Sequence, residues 1–475
     1  LVYDARPDIG HERASNSSPL TIAFQYFRYG FGGAEKVTHE LMVLFVEMGY
    51  RVLLYTDEPA SEGDYPVPEG VVRKRVEAGY SEHAERVGFW HTEVATEHIA
   101  LVLYNSWCSP AALLDCLAIQ SAGAAFLFHA HSNAPYFMQI DDLPLVGRLE
   151  AIAYIADGVV GLSEADRVFW SAYSNNVSVV VNPIDRYMHD VSVRTDIPQG
   201  HLVLWCGRIA VEKRPEEAIT IMRLLLDEMP DARLDFVGEG DEELTKSLKA
   251  QAEAQGVSHA IRFLGFQDDT IPFYQKANVL LLTSVVEGFP LTLSEAMQQG
   301  IPAVSYELPY LPLMKGEGVT QVSQLDAEAA ARALAAILRD PMRQRRMGQA
   351  ARRTYEEVCC VDFKAMWHDV IEKTLDRTPR SEDARSCADE GCTSAVRELV
   401  RACVYEYGTS YARRWTDGNM KDERIRELED KCACLEREKR DVQQELDDQL
   451  ASKTYRAGRA VTALPRAIRS TFGHD

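Results

Sequence analysis

Four charged residues in two clusters hold the chemistry that this sequence offers. Glu287 and Glu295 stand eight positions apart, the first in a loop containing Gly288 and Pro290, the second in a short helix expected over 291–299. Arg208 and Lys213 stand five positions apart in a glycine turn that runs from a strand into another helix. Two cations in such a turn, with a helix N-terminus opposite them at Pro290 to Leu293, hold a diphosphate, because backbone N–H groups and the positive end of the helix dipole add to their charge. Carboxylates accept hydrogen bonds from neighbouring hydroxyls, which sugars and ribose both carry. A diphosphate between two polyhydroxyl groups is a nucleotide sugar. Singly, Arg208 reads as half of a surface ion pair and Glu287 as an acid at a helix start. Their places relative to one another favour the joint reading.

These residues need elements to hold them. Asn278–Thr283 is an almost wholly apolar run of strand length, as expected of a strand buried on both faces. Pro290 stands at the mouth of the helix that follows and Gly300 at its stop, before a new strand at 301–306. The same logic opens the chain. A strand at 20–27 runs into Gly30-Phe31-Gly32-Gly33-Ala34-Glu35, then a helix from Lys36 to Met48, then a strand at 51–55. Strand, glycine turn, helix, strand is the signature of a doubly wound parallel sheet. The turn is not GxGxxG, so a dinucleotide site is not indicated. The pair Gly32-Gly33 lets backbone approach a ligand, although alone it reads as a tight turn.

Strands at 99–104 and 124–128 follow, and the second runs straight into His129-Ala130-His131. Two histidines at a buried strand end sit where α/β proteins keep ligands, and one of the pair serves as scaffold. A strand at 177–181 ends on Asn182, which is counted with the binding residues for the same reason. Residues 186–200 are polar and read as a linker, after which strands at 201–206, 233–237 and 261–264 alternate with helices at 216–228 and 244–255. The expected fold is α/β: two doubly wound Rossmann-like domains in series, with a cleft between them, plus a C-terminal helical coiled-coil extension. The domains are placed at 19–190 and 191–358, with a helix at 359–376 carrying Trp367 on an apolar stripe.

Composition bounds the reading. The 475 residues are 46% apolar and 26% charged, ordinary for a globular protein of two or three domains. A formal net charge of −21 argues against a nucleic-acid partner, which needs clustered Lys and Arg. Ten cysteines are scattered without Cys-x-x-Cys, so reduced thiols are expected and no metal site. No secretory signal stands at the start and no run of about 18 apolar residues occurs, so a cytoplasmic protein without a membrane span is expected.

Beyond 377–420, a polar stretch, Ile425, Leu428, Cys432, Leu435, Lys439, Val442, Leu446 and Gln449 keep heptad steps over 421–452, with Lys439 and Gln449 as imperfect core residues. That pattern favours a coiled-coil homodimer over one helix packed on the body. Residues 453–475 begin with five cations and no acid up to 470, with Val461, Leu464 and Ile468 on one face. Peripheral contact with an anionic membrane, at the inner face of the cell membrane, and a solvated tail are both open.

The motif set resembles retaining glycosyltransferases of the GT-B fold, most closely glycosyltransferase family 4. Glu287-Gly288-Phe289-Pro290 with Glu295 looks like that family's Glu-x7-Glu motif. Gly207-Arg208 with Glu212-Lys213 matches its diphosphate motif, with Arg214 where a glycine is usual. Gly32-Gly33-Ala34-Glu35 matches its glycine loop and His129-Ala130-His131 its histidine motif. The resemblance covers about residues 20–375. It implies that Arg208 and Lys213 neutralise the leaving diphosphate, with backbone amides of Gly32, Gly33 and Phe289, Pro290's followers Leu291, Thr292 and Leu293, and the Gly288 turn. It implies Glu287 on the sugar hydroxyls, Glu295 on the ribose, and His129 rather than His131 at the anomeric carbon. No Asp-x-Asp occurs, which suits a transferase with no cofactor and no metal.

The expected activity is transfer of a hexose or N-acetylhexosamine from a nucleotide-sugar donor, UDP-sugar before GDP-sugar, to a cell-surface glycan, teichoic-acid-like polymer or glycoprotein. Two readings stand beside it: an epimerase or phosphorylase of the same fold, and an inactive sugar-binding scaffold organised by its coiled coil.

Overall fold

The computed structural model describes residues 19–30, 32–132, 143–188 and 191–376. The expected linker, coiled coil and basic segment over 377–475 lie outside the described residues. Two sheets account for the architecture. The first has seven strands: β1 Thr21–Tyr26, β2 Arg51–Thr56, β3 Val71–Arg75, β4 Ile99–Tyr104, β5 Ala125–His129, β6 Gly158–Gly161 and β7 Val177–Val179, in the order β3-β2-β1-β4-β5-β6-β7. The second has six: β8 Leu202–Cys206, β9 Arg233–Val237, β10 Ile261–Phe263, β11 Val279–Leu282, β12 Ala303–Tyr306 and β13 Val319–Val322, in the order β10-β9-β8-β11-β12-β13. All pairings are parallel, so both are Rossmann-like sheets. Helices cover both faces of each, which is why β1 and β11 are buried along nearly their whole length and β11 is wholly apolar.

Strand order reverses once in each sheet, between β1 and β4 and between β8 and β11. Crevices open at such switch points beyond the carboxyl ends of the strands. The turn at Gly32-Gly33 leaves β1, the turn at Gly207-Arg208 leaves β8, and the loop before Pro290 leaves β11. These three turns therefore sit at switch points, while the histidines leave the neighbouring strand β5.

Two local expectations are corrected. The first helix begins at Gly33 and not at Lys36, and runs to Glu47 with Gly32 as its N-cap. Glycine suits that cap because a β-carbon on Gly32 would lie 2.2 Å from the Glu35 carboxylate folded back over it. The expected linker at 186–200 opens inside a short helix, Ile184–Met188, whose Ile184 and Met188 join the apolar core of the second sheet. A short buried helix carries too few turns to show a period. The last described helix, Phe363–Leu375, is capped by Asp362 and buries Phe363, Trp367, Val370 and Ile371 among Ile22, Phe24 and Phe45 of the first domain. The chain thus returns to its N-terminal core. Among the described residues, no helix is long and apolar enough to cross a membrane.

Candidate active site

The second-domain wall is built around two stitched turns. Gly207 has φ 153°, and a β-carbon added at Gly238 would lie 2.0 Å from the Gly207 carbonyl oxygen, so the Gly238-Glu239-Gly240 bend presses directly on the Gly207-Arg208 turn. Only glycine fits such backbone contact. A one-turn 3-10 helix, Val211–Lys213, follows. The Thr283 hydroxyl donates to the Lys213 carbonyl at 2.7 Å and accepts from the Trp205 indole at 2.9 Å. Val285 N–H reaches the Glu212 carbonyl at 3.2 Å. The loop after β11 is thereby sewn to the turn after β8, and Lys213 Nζ meets Glu287 Oε1 at 2.6 Å.

Glu287 is 7% exposed. The Tyr310 hydroxyl clamps its backbone, accepting from the Glu287 N–H at 3.0 Å and donating to the Glu287 carbonyl at 3.2 Å. Arg208 points outward, 72% exposed, and pairs with Glu212 at 2.7 Å. Glu295, 5% exposed, lies on the helix Leu291–Gln298, whose N-cap Pro290 supplies no side-chain cap. The amides of the first turn, Leu291 to Leu293, therefore keep the donor character of an uncapped helix mouth.

At its strand ends the first-domain wall is neutral. His129 Nδ1 and His131 Nε2 lie 3.0 and 2.7 Å from the Asn105 carboxamide oxygen. With that oxygen accepting, both ring nitrogens donate, leaving His129 Nε2 and His131 Nδ1 as lone pairs. Burial depresses both histidines. For His129 the second imidazole adds to the effect, and His131 is pushed down to about 3. Both rings are neutral near pH 7, 4.0 Å apart by centroids. His129 packs edge-on to Trp367, and His131 has the more open ring. Asn105 Nδ2 and Asn182 Oδ1 are buried without a hydrogen-bond partner among the described residues, which marks both as groups awaiting one.

The two walls touch at their glycines. A β-carbon on Gly33 would lie 3.3 Å from Leu291 Cδ1, so two uncapped helix mouths approach each other. One on Gly288 would lie 2.8 Å from the His131 carbonyl oxygen. Lys36 of the first helix reaches Glu295 across the cleft at 3.4 Å. Arg208, Lys213, Glu287, Glu295, Gly32, Gly33, Gly288 to Leu293, His129 and His131 thus line one region; Asn182 lies buried beyond the end of β7. Reading along the chain passes over Asn105, Lys36 and Tyr310. Asn105 carries the same strand-end signal as His129, Lys36 is a cation in the first turn of a helix, and Tyr310 has no local signal.

Among the described residues, no group of three or more His, Cys, Asp or Glu is placed to hold a metal ion. The arrangement offers two helix mouths and three lysine or arginine side chains for a dianion, with two carboxylates for hydroxyls.

Comparison with known proteins adds the following. Residues 194–354 match the family described as Glycosyl transferases group 1. A D-inositol 3-phosphate glycosyltransferase of Streptomyces avermitilis is 32% identical over 176 residues, 34% of this chain and 38% of that protein. A GalNAc-alpha-(1->4)-GalNAc-alpha-(1->3)-diNAcBac-PP-undecaprenol alpha-1,4-N-acetyl-D-galactosaminyltransferase of Campylobacter jejuni is 28% identical over 171 residues, 35% of this chain and 45% of that protein. The chain spans less than half the length of these curated relatives. Among solved structures, a TarM mutant of S. aureus in complex with fondaparinux, alpha-GlcNAc-glycerol and UDP superposes with TM-score 0.61 at 10% identity, over 75% of this chain and 100% of that one. That likeness shows the fold, two Rossmann-like domains of the GT-B type.

Proposed function

We propose, for a chain that carries a glycosyltransferase group 1 domain at residues 194–354, a retaining transferase that moves a hexose or N-acetylhexosamine from a nucleotide-sugar donor to a glycan, teichoic-acid-like polymer or glycoprotein of the cell surface. The observation that carries this reading is the meeting of Lys213 and Glu287 at 2.6 Å beside the uncapped helix mouth at Leu291. A diphosphate arriving there takes Lys213 and frees Glu287 for the sugar hydroxyls. Arg208 neutralises the departing charge from the solvent side, and Glu295 takes the ribose. A neutral imidazole, His129 or the more open His131, faces the anomeric carbon without adding charge to a site already short of anion-free space. Protein cations and helix mouths do the work of a divalent ion, so no metal is required.

A UDP-sugar donor is favoured over a GDP-sugar, since the structural neighbour was solved with UDP. A polymeric or lipid-linked glycan acceptor is supported by the names of the relatives. Incubation with UDP-sugars and glycerol-phosphate or glycan acceptors, followed by NMR of the product anomer, tests this. Retained configuration with acceptor-dependent UDP release is expected. Donor breakdown or isomerisation without any acceptor would point instead to an epimerase or phosphorylase. The heptads at 421–452 and the basic segment at 453–475 would pair two chains and touch anionic lipid. Removing 421–475 should then lower the mass seen by light scattering and abolish flotation with anionic vesicles.

A further inference from the structure

Lys36 breaks a local rule. It lies in the first turn of the helix Gly33–Glu47, where the unsatisfied N–H groups make a positive charge unfavourable. Within that helix its charge also pulls on the carboxyl of Glu40, four positions on. Its ammonium crosses to the other domain and stands 3.4 Å from Glu295 Oε1, a long separation for an ion pair, with its side chain 31% exposed and that of Glu295 only 7%.

The surroundings show what this lysine faces. The Cys206 thiol, at the carboxyl end of β8, is pushed up by burial and by Glu295 and pulled down by Lys36 and Lys213, so all three charges act on this strand end. Every cation there leans on a carboxylate of the protein: Arg208 on Glu212, Lys213 on Glu287 and Lys36 on Glu295. Two of those carboxylates, Glu287 and Glu295, are the ones suited to sugar and ribose hydroxyls. A nucleotide sugar that occupies them removes the internal counter-charge from Lys213 and Lys36 at the same moment as it brings its own dianion between the two helix mouths.

We propose that Lys36 is a further phosphate-binding residue, the first domain's own cation for a nucleoside diphosphate, held on Glu295 until ribose hydroxyls claim that carboxylate. The proposal rests on the nucleotide-sugar reading of the cleft. It makes the ion pair a partner exchange: Lys36 leaves a loose contact with Glu295 for a charge-assisted hydrogen bond to phosphate. It also explains a cation at an otherwise unfavourable helix position, since a phosphate on the same helix mouth reverses the local sign.

Calorimetric titration of the full chain with UDP, GDP and ADP, and with the corresponding nucleosides, tests this in wild type, Lys36→Gln, Lys36→Arg and Lys213→Gln. Loss of one charge-assisted contact should weaken the preferred nucleoside diphosphate about tenfold in Lys36→Gln, leave the nucleoside within about twofold, and be largely restored in Lys36→Arg. Loss of diphosphate affinity in Lys213→Gln with none in Lys36→Gln would overturn the role of Lys36 and leave the nucleotide site standing. Equal weakening of diphosphate and nucleoside in Lys36→Gln would also overturn it, as the mark of a merely structural latch. Failure of wild type to bind any of the three diphosphates would sink the nucleotide-sugar reading itself.

Discussion

The two walls of the cleft solve opposite problems. At the strand ends on the first-domain side the polar groups are buried and neutral: His129 and His131 share one carboxamide oxygen, and burial keeps both uncharged. In the same domain the buried guanidinium of Arg86 is fully spoken for, gripping Asp115 through two bonds of 2.6 and 2.7 Å and the Ala78 carbonyl at 3.0 Å. Asp115 also accepts from the Trp90 indole and the Tyr104 hydroxyl. On the second-domain side the ion pairs Lys213–Glu287 and Arg208–Glu212 keep their cations 25% and 72% exposed. Charges that are to exchange partners with a ligand must stay near water, where breaking a pair is cheap. Groups that only hold a shape are placed where breaking one is expensive.

That contrast can be broken by substitution. The largest effect on stability should come from Arg86→Met, which leaves Asp115 charged and buried and should cost about 3–5 kcal/mol in urea unfolding. A loss below about 1 kcal/mol would mean the first wall is not held by this network. Lys213→Ala should instead leave the unfolding midpoint nearly unchanged and lower sugar transfer by about 10²–10³-fold, the range for removing one stabiliser of developing negative charge. Unchanged turnover there would remove the second wall from the chemistry.

A pH titration sharpens the comparison further. Histidine in an unfolded chain takes its proton near pH 6.5, whereas folded His131 does so only at about 3. Between those values the unfolded chain binds the extra proton. The stabilisation is complete above about pH 6.5 and falls by about 1.4 kcal/mol per pH unit as the medium is acidified. From pH 7 to 5 the loss owed to His131 should be about 2 kcal/mol, so wild type should fall by about that much more than His131→Gln, with buried His129 adding a fall of the same sign to both. Asp57, raised to about 6 by burial against the pull of Arg86, has the opposite sign, so the difference between the two proteins is the readout rather than either slope.

The smallest effect is expected at Arg214. It adopts φ 47° and ψ 51° where the related motif carries glycine. Left-handed strain of about 1–2 kcal/mol in a residue with a β-carbon is partly offset by the freedom that glycine returns to the unfolded chain, about 0.5–1 kcal/mol. Arg214→Gly should raise the melting temperature slightly. A lower one would show that the 3.4 Å contact with Glu216 outweighs the strain.

Much of this was legible along the chain. The apolar runs at β1, β4, β8 and β11 and the glycines after β1 and β8 declare a doubly wound fold, because buried parallel strands must be apolar and tight turns into helices need glycine. The acids at 287 and 295 and the cations at 208 and 213 stand out as a candidate site, because their spacing is local to single turns. The helix Ile184–Met188 was missed for want of a period, and the coiled-coil pattern lies beyond the described residues.

What the tertiary structure alone decided is which charges meet. Lys213 and Glu287 are 74 positions apart and Lys36 and Glu295 are 259 apart. No pattern along the chain sets such pairings, since they depend on where two separate sheets reverse their strand order and on how their helix mouths oppose. The same holds for the histidines. Their residue types are plain in the sequence, but their neutrality comes from burial against Asn105 and Trp367, two elements brought there from opposite ends of the domain, one of them after the chain has left the second sheet.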